Sequence, residues 1–332
     1  MGAILVLNAG SSSLKYAVFD PERVAGGSFE GAGRLEAVFD TLSAPPEAAG
    51  HRVVHGGPRF QEATRVTPEL LAELARLSPF APQHLPAEIA LIEDVERRFP
   101  GIPQVACFDT AFHKDLPPES RLLPIPRALL KKGVRRYGFH GLSFASIVDS
   151  LRGEPAGLPR RLVVAHLGGG CGVAAILDGR SVDTTMAFTP AAGIPMGRRS
   201  GDLDPGLPAF LELSPAEWNE MVNARSGLLG MSEISADVRV LLAKEAEDAR
   251  AAEALAVFTL RTSQAIAGMA ASMGGIDALV FTGGIGENSA ELRKRISGRL
   301  EFLKIASIRA LRTDEERQIA RETRARLGGS GS

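Results

Sequence analysis

Three short stretches of the 332-residue chain set arginine or histidine among small residues: His51-Arg52-Val53-Val54-His55-Gly56-Gly57, Tyr137-Gly138-Phe139-His140-Gly141 and Met196-Gly197-Arg198-Arg199-Ser200-Gly201-Asp202. Any one alone is more often a surface ion pair or a satisfied core histidine. Together they supply fixed positive charge in close-packed surroundings, which a phosphoryl group needs as its oxygens gain charge during transfer. Acidic partners stand at Asp109, after a short apolar run, and at Glu315, at the start of the last helical segment. Their plainer readings are burial beside a helix and charge complementation of a helix N-terminus.

Three turns built from small residues accompany these stretches: Gly10-Ser11-Ser12-Ser13, Gly168-Gly169-Gly170 and the run Gly283 to Asn288. Small residues let backbone N–H groups approach phosphate oxygens closely. Taken singly, each of the first two is as readily a tight hairpin. The chain has no G-x-x-x-x-G-K-[ST] loop and no G-x-G-x-x-G after an N-terminal strand, so P-loop and dinucleotide-binding readings lose their main support.

The elements that must hold these groups follow from the pattern of apolar residues. Ile4 to Asn8 and Tyr16 to Phe19 predict two strands around the first turn, and Leu162 to His166 and Val173 to Leu177 predict two around the second. One offset of 158 places Gly10 on Gly168 and Asp20 on Asp178, which predicts a duplicated hairpin-bearing domain. Pro68 to Leu77, Pro86 to Phe99 and Ala251 to Met273 have helical periodicity, whereas Val105 to Phe108 and Asp277 to Thr282 read as buried strands. The alternation predicts α/β layers, and the strand ending at Thr282 runs into a glycine turn and a helix start suited to a nucleotide. Thr313 with Glu316 predicts a capping box on the last helix.

Composition bounds the rest. The length suggests two domains; 45% hydrophobic and 23% charged residues are ordinary for a folded chain, and the formal charge of -1 offers no footprint for nucleic acid or anionic lipid. No leader or membrane-spanning stretch is visible, so a cytoplasmic protein is expected. Cys107 and Cys171 lack metal or redox spacing and read as reduced, packed thiols. The tail from Gly328 to Ser332 reads as a flexible end.

The strings Asn8-Ala9-Gly10-Ser11-Ser12-Ser13-Leu14-Lys15, His51 to Gly57, Ala81-Pro82-Gln83-His84, Phe108 to His113, Tyr137 to Gly141, Phe188-Thr189-Pro190 and Gly283 to Asn288 resemble, in order and across nearly the whole chain, the acetate kinase family. The resemblance implies the acetate and sugar kinase, heat-shock and actin superfamily. That means two duplicated ribonuclease-H-like domains with an active-site cleft between them, here residues 1–112 plus 316–332 and residues 113–315. It implies reversible transfer between ATP and acetate, a homodimer, and Mg²⁺ or Mn²⁺ as cofactor. By the same resemblance Asn8, Ser11, Ser13 and Lys15 form the first phosphate turn, and His166 with Gly168, Gly169 and Gly170 the second. Arg52 and Arg199 hold the carboxylate and the phosphoryl group, His140 stabilises the equatorial oxygens, and His84 assists phosphate binding. Asp109, Asn8 and Glu315 position the metal; Asp237, Arg239, Gly283, Gly284, Ile285, Gly286 and Asn288 contact the nucleotide. Val54, Gln83, Phe139 and Pro190 line the acyl pocket.

The family usually carries Leu where this chain has Gln83 and Asn where it has Gly169, and the segments from Asp20 to His51 and from Asn288 to Thr313 are shorter than is usual. A propionate or butyrate kinase, or a weakened nucleotide-binding regulator of the same fold, are the alternatives. A sugar kinase is disfavoured, because a hydroxyl acceptor needs a carboxylate base, whereas two arginines suit an anion.

Overall fold

A computed structural model describes residues 2–10, 13–30, 35–42, 44–81 and 84–328. Ser11, Gln83 and the side chain of Ser13 lie outside the described residues. The chain forms two compact units, one of residues 1–114, 139–146 and 314–332, the other of residues 115–138 and 147–313.

The first unit carries a sheet of β1 (Ile4–Ala9), β2 (Ser13–Asp20), β3 (Glu22–Glu30), β4 (Ala48–Val53), β5 (Thr64–Arg65) and β6 (Gln104–Phe108). The second carries β7 (Arg161–Leu167), β8 (Cys171–Leu177), β9 (Arg180–Thr184), β10 (Ala278–Thr282) and β11 (Ser307–Ala310). Their orders are β3-β2-β1-β4-β6-β5 and β9-β8-β7-β10-β11. In each, an antiparallel meander of three strands is followed by two strands parallel to its first member. The repeat seen in the hairpins therefore extends to whole sheets.

The register corrects one detail of that repeat. In the first hairpin Ala9 pairs with Leu14 across residues 10–13, and in the second Leu167 pairs with Cys171 across residues 168–170. The offset of 158 holds for the leading strands, but the second turn is one residue shorter, so Leu14 corresponds to Cys171 and the return strands are offset by 157. Asp20 thus falls on Leu177, and the match with Asp178 is a coincidence of residue type.

Period-two alternation explains how the first unit builds a site from apolar strands. Ile4 and Val6 on β1, Ala48 on β4, and Val105 and Cys107 on β6 belong to one buried cluster with Ile319 and Ala320 of the Glu315–Gly328 helix. Gly50 shares that face, since a Cβ there would meet Thr323 and Ile319 at 2.3 and 2.8 Å. Two residues further along each strand direction come Asn8, Arg52 and Asp109. These three strands run parallel, so the polar residues gather where the apolar stripe ends at their carboxyl ends. The opposite face, with Leu5, Leu7, Tyr16 and Val18, packs on Leu91, Val95 and Phe99 from the Leu85–Arg98 helix segment.

The Pro68–Leu77 and Ala249–Ser272 helices lie close to their predicted spans. The last helix does not start with the predicted capping box. It spans Glu315–Gly328; the Asp314 carboxylate accepts from the Arg317 N–H at 3.0 Å, and the buried Thr313 hydroxyl has no hydrogen-bond partner among the described residues. Glu316 is instead drawn into the interior by Asn8. The run Gly283–Asn288 also differs from expectation: it is itself a short helix, joined directly to β10, and not a loop ahead of one.

Candidate active site

In the first unit the site is organised around Arg52. Its Nε and Nη2 donate to Asp109 Oδ2 at 3.0 and 2.5 Å, and its Nη1 donates to the Ala9 carbonyl at 2.5 Å. A guanidinium has five N–H bonds. Asp109 engages two and Ala9 one, so two are left for an anion among the described contacts. A second carboxylate, Glu88, places Oε1 3.9 Å from Nη1.

Asp109 is held in turn by the next segment. The Gly141 N–H donates to the Asp109 carbonyl at 2.9 Å, and a Cβ at Gly141 would lie 2.2 Å from that oxygen, so only glycine allows the approach. His140, immediately before it, takes a left-handed conformation with φ of 60°, and its carbonyl starts the Gly141–Arg152 helix by accepting from Phe144. The tight Tyr137 to Gly141 motif therefore sets His140 one residue from the strand end that carries Asp109.

The electrostatics follow from burial. Burial pushes the Asp109 carboxyl up, Arg52 pulls it back, and the nearby Glu315 charge adds to the rise. Glu88 is pushed up to about 7 by burial, against the pull of Arg52 and of the Val54 N–H. Arg52 stays protonated, because the charges of Asp109, Glu88 and Glu315 outweigh its own burial. Asn8 Nδ2 donates to Glu315 Oε2 at 2.9 Å and to Glu316 Oε1 at 2.8 Å, which turns its amide oxygen away from the acids.

Asn8, Asp109 and Glu315 offer oxygen donors only, and no group of three or more His, Cys, Asp or Glu among the described residues forms a full metal cage. That donor set fits Mg²⁺, which favours oxygen and commonly keeps several waters beside one or two carboxylates.

Val54 and Phe139 are both buried, with the Phe139 ring edge-on to His55 at 5.6 Å. The Phe139 carbonyl lies 3.1 Å from His113 Nε2. His84 is buried at the start of the Leu85–Arg98 helix, and Lys15 is exposed on β2.

In the second unit backbone replaces side chains. The Gly168 turn lies against Gly284, and Gly197 sits against Ala236 and the Gly169 carbonyl, so three small-residue segments converge. Gly283 has φ of +77°, and a Cβ there would come within 2.7 Å of the Leu167 carbonyl and 3.1 Å of His166 Nε2. The Glu287 carboxylate accepts from the Gly283 N–H at 3.1 Å, and Asn288 Nδ2 donates to the Gly284 carbonyl at 2.8 Å. Ile285 and Gly286 belong to the same short helix. Arg199 Nη1 donates to the Pro190 carbonyl at 3.2 Å, and its charge is felt at the buried Cys171 thiol, which burial nonetheless pushes up to about 12. Asp237 caps the Val238–Lys244 helix and pairs with Arg239 at 2.6 Å near the surface.

The sequence matches the Acetokinase family over residues 34–326. The chain belongs to that family. Its acetate kinase relative from Rhodopseudomonas palustris (strain ATCC BAA-98 / CGA009) is 45% identical over 263 residues, 77% of this chain; the match spans just under two thirds (65%) of that relative. Among solved structures, a propionate kinase from Francisella tularensis subsp. tularensis SCHU S4 superposes with a TM-score of 0.91 at 34% identity, covering 97% of this chain and 99% of that one. Porphyromonas gingivalis acetate kinase gives 0.87 at 31% identity, covering 98% and 100%. The duplicated α/β sheets of this family member are thus those of carboxylate kinases.

The residues missed by the motif reading are Glu88 and Glu287. Glu88 did leave a signal. With Leu91, Ile92 and Val95 it occupies the i, i+3, i+4, i+7 stripe of an amphipathic helix, a carboxylate where an apolar side chain belongs. Glu287 sits inside a glycine motif whose other members suggested backbone contacts alone, and nothing in its spacing marked it.

Proposed function

We propose that this chain transfers the terminal phosphoryl group of ATP reversibly to a short carboxylate, acetate in the first instance, giving an acyl phosphate. The observation that carries this reading is the largely buried Arg52, fixed by Asp109 at the carboxyl ends of three parallel strands with two N–H bonds to spare. A carboxylate acceptor is already ionised at neutral pH and attacks phosphorus without a general base. What the reaction requires is the pairing of two anions and the stabilisation of charge on the phosphoryl oxygens.

In this reading Arg52 binds the acceptor, Arg199 and His140 face the phosphoryl oxygens, and Val54, Phe139 and Pro190 are apolar walls around a short acyl chain. Asp109, Asn8 and Glu315 would hold Mg²⁺, which would supply charge neutralisation of the nucleotide phosphates. The glycine segments at Gly168 and Gly283 offer backbone to the nucleotide, with Asp237 and Arg239 beside the adenosine. The Francisella neighbour supports propionate as a second acceptor. No helix among the described residues is long and apolar enough to cross a membrane, in keeping with a cytoplasmic enzyme, and we assign it a homodimeric state by its family.

The test is incubation with ATP, Mg²⁺ and acetate, propionate or butyrate, with hydroxylamine trapping any acyl phosphate as the coloured hydroxamate. Hydroxamate formation that depends on the carboxylate is expected. ATP hydrolysis without any hydroxamate would leave only the regulator reading.

A further inference from the structure

Glu88 belongs to none of the motifs that carry the family resemblance, yet it is 3% exposed and reaches the most charged part of the first unit. Its Oε2 accepts from the Val54 N–H at 3.0 Å. Its Oε1 stands 3.9 Å from Arg52 Nη1, beyond hydrogen-bond reach, and has no donor among the described residues. Asp109 grips the same guanidinium from its Nε and Nη2 side. Arg52 is thus bracketed by one carboxylate from its own sheet and one from the helix packed on the sheet's other face.

We infer that Glu88 is a positioning residue for the acceptor carboxylate, setting the angle of Arg52 from the side opposite Asp109 and tying that arginine to the Val54 wall. The inference rests on the carboxylate kinase reading above. A buried carboxylate with an empty acceptor is costly, and a neutral side chain of similar size would avoid that cost. When ionised, Glu88 biases a guanidinium that Asp109 holds through a single oxygen and the Ala9 carbonyl holds at Nη1. Because Oε2 also fixes the Val54 backbone, a shift of Glu88 moves the anion-binding group and the wall beside it together.

The experiment compares wild type with Glu88→Gln, which keeps the size and an acceptor for the Val54 N–H but removes the charge. The hydroxamate assay gives kcat and KM for acetate and KM for ATP. Misplacing a binding group by about an ångström costs up to roughly 100-fold, so acetate kcat/KM is expected to fall roughly 10- to 100-fold with the ATP KM held within about twofold. In an Arg52→Lys background the same substitution should add less than about twofold, since the group it acts through is gone. Unchanged acetate kcat/KM in Glu88→Gln, or an undiminished further loss in the Arg52→Lys background, overturns the inference. Glu88→Asp provides a second arm if the Gln variant does not fold: it retains charge but withdraws it by one methylene, and wild-type kinetics there also overturn it. A wild-type protein that makes no hydroxamate from any short carboxylate sinks the functional reading itself, and this inference with it.

Discussion

The two units share a sheet order and differ in what they place at the strand ends. In the first, β4 runs on past its apolar stripe to deliver Arg52, flanked by Asp109 and Glu88, all buried or nearly so. In the second, the register puts the short side chain of Thr282, the last residue of β10, at the place of Arg52, and the chain turns at once into the glycine run from Gly283. Its charged pair at Asp237 and Arg239 lies toward the surface. In the proposed reading one architecture therefore serves two kinds of anion recognition, one from desolvated side-chain charge and one from glycine backbone. Charge under burial is strong and costly; backbone is weaker per contact and tolerant of the solvent around it.

The sharpest way to break that contrast is to remove the charge at its centre. Arg52→Ala is expected to lower acetate turnover by roughly 10³-fold or more, the scale on which arginines act in phosphoryl transfer. It also strands Asp109 and Glu88 without their counter-ion, so a stability loss of about 3–5 kcal/mol should appear in denaturant titration. Full activity would show that Arg52 is not the anion site, and unchanged stability would show that it is not the keystone of the buried cluster.

Next in size is the pH dependence of Glu88. Its carboxyl is pushed up to about 7 from an ordinary 4.5, so between those values the folded state holds a proton that the unfolded chain has released. Stability from this group therefore falls as pH rises from about 4.5 to 7, by up to about 3 kcal/mol for a shift of this size. Glu88→Gln should remove that slope and be the more stable protein above pH 7, even as it handles acetate worse. Parallel stability curves for the two proteins across this range would mean that Glu88 is not desolvated as described. His51 gives the opposite slope: burial lowers it to about 4, so its contribution is kept above about pH 6.5 and lost as the pH falls toward 4.

A smaller effect is expected at the metal. Glu315→Gln should raise the Mg²⁺ concentration needed for half-maximal activity several-fold, because one of the few carboxylates near Asn8 loses its charge. Glu316→Gln should chiefly lower thermal stability, since that side chain is buried under the Asn8 amide. Titration of activity against Mg²⁺ for both variants separates the roles, and equal metal dependence would abolish the distinction. The smallest effect belongs to the second unit. Arg239→Ala should leave stability close to that of wild type, as its side chain is 88% exposed and such pairs contribute little. A rise in the ATP KM alone would support its place beside the adenosine; a large stability loss would show that the second unit also depends on paired charge.

What could be read from the chain follows the same division. The strands of the two hairpins and those at Val105 and Asp277 were legible from their apolar runs, and Asp109 follows one of them; β4, which carries Arg52, was not, because Ala48-Ala49-Gly50-His51-Arg52-Val53 has no apolar alternation and reads as a small-residue turn. Glu88 was harder, since it required giving weight to one wrong residue on an otherwise regular helical stripe. The start of the last helix was misread at Thr313 because Thr and Asp are both good caps and the choice depends on Asn8 pulling Glu316 inward from more than 300 residues away. The helical form of Gly283 to Asn288 was invisible for a related reason: glycine has poor helix propensity, and here Glu287, Asn288 and the packing against Leu167 override it.

The missing residue in the second turn has a consequence for anyone who would exchange parts between the halves. The two turns close equivalent pairs, Ala9 with Leu14 and Leu167 with Cys171, so residues 168–170 can replace residues 10–13 without moving β2 against β1. A graft cut at the sequence offset of 158, residues 168–171 in place of 10–13, would instead put Cys171 opposite Ala9 and slip the rest of β2 by one place. Leu14, Tyr16 and Val18 would then leave the face that packs on Leu91 and Val95, while Ala17 and Phe19 would leave the one that packs on Ile319. Parts pass between the halves only when cut by strand register, and a cut made by residue count misplaces a whole strand.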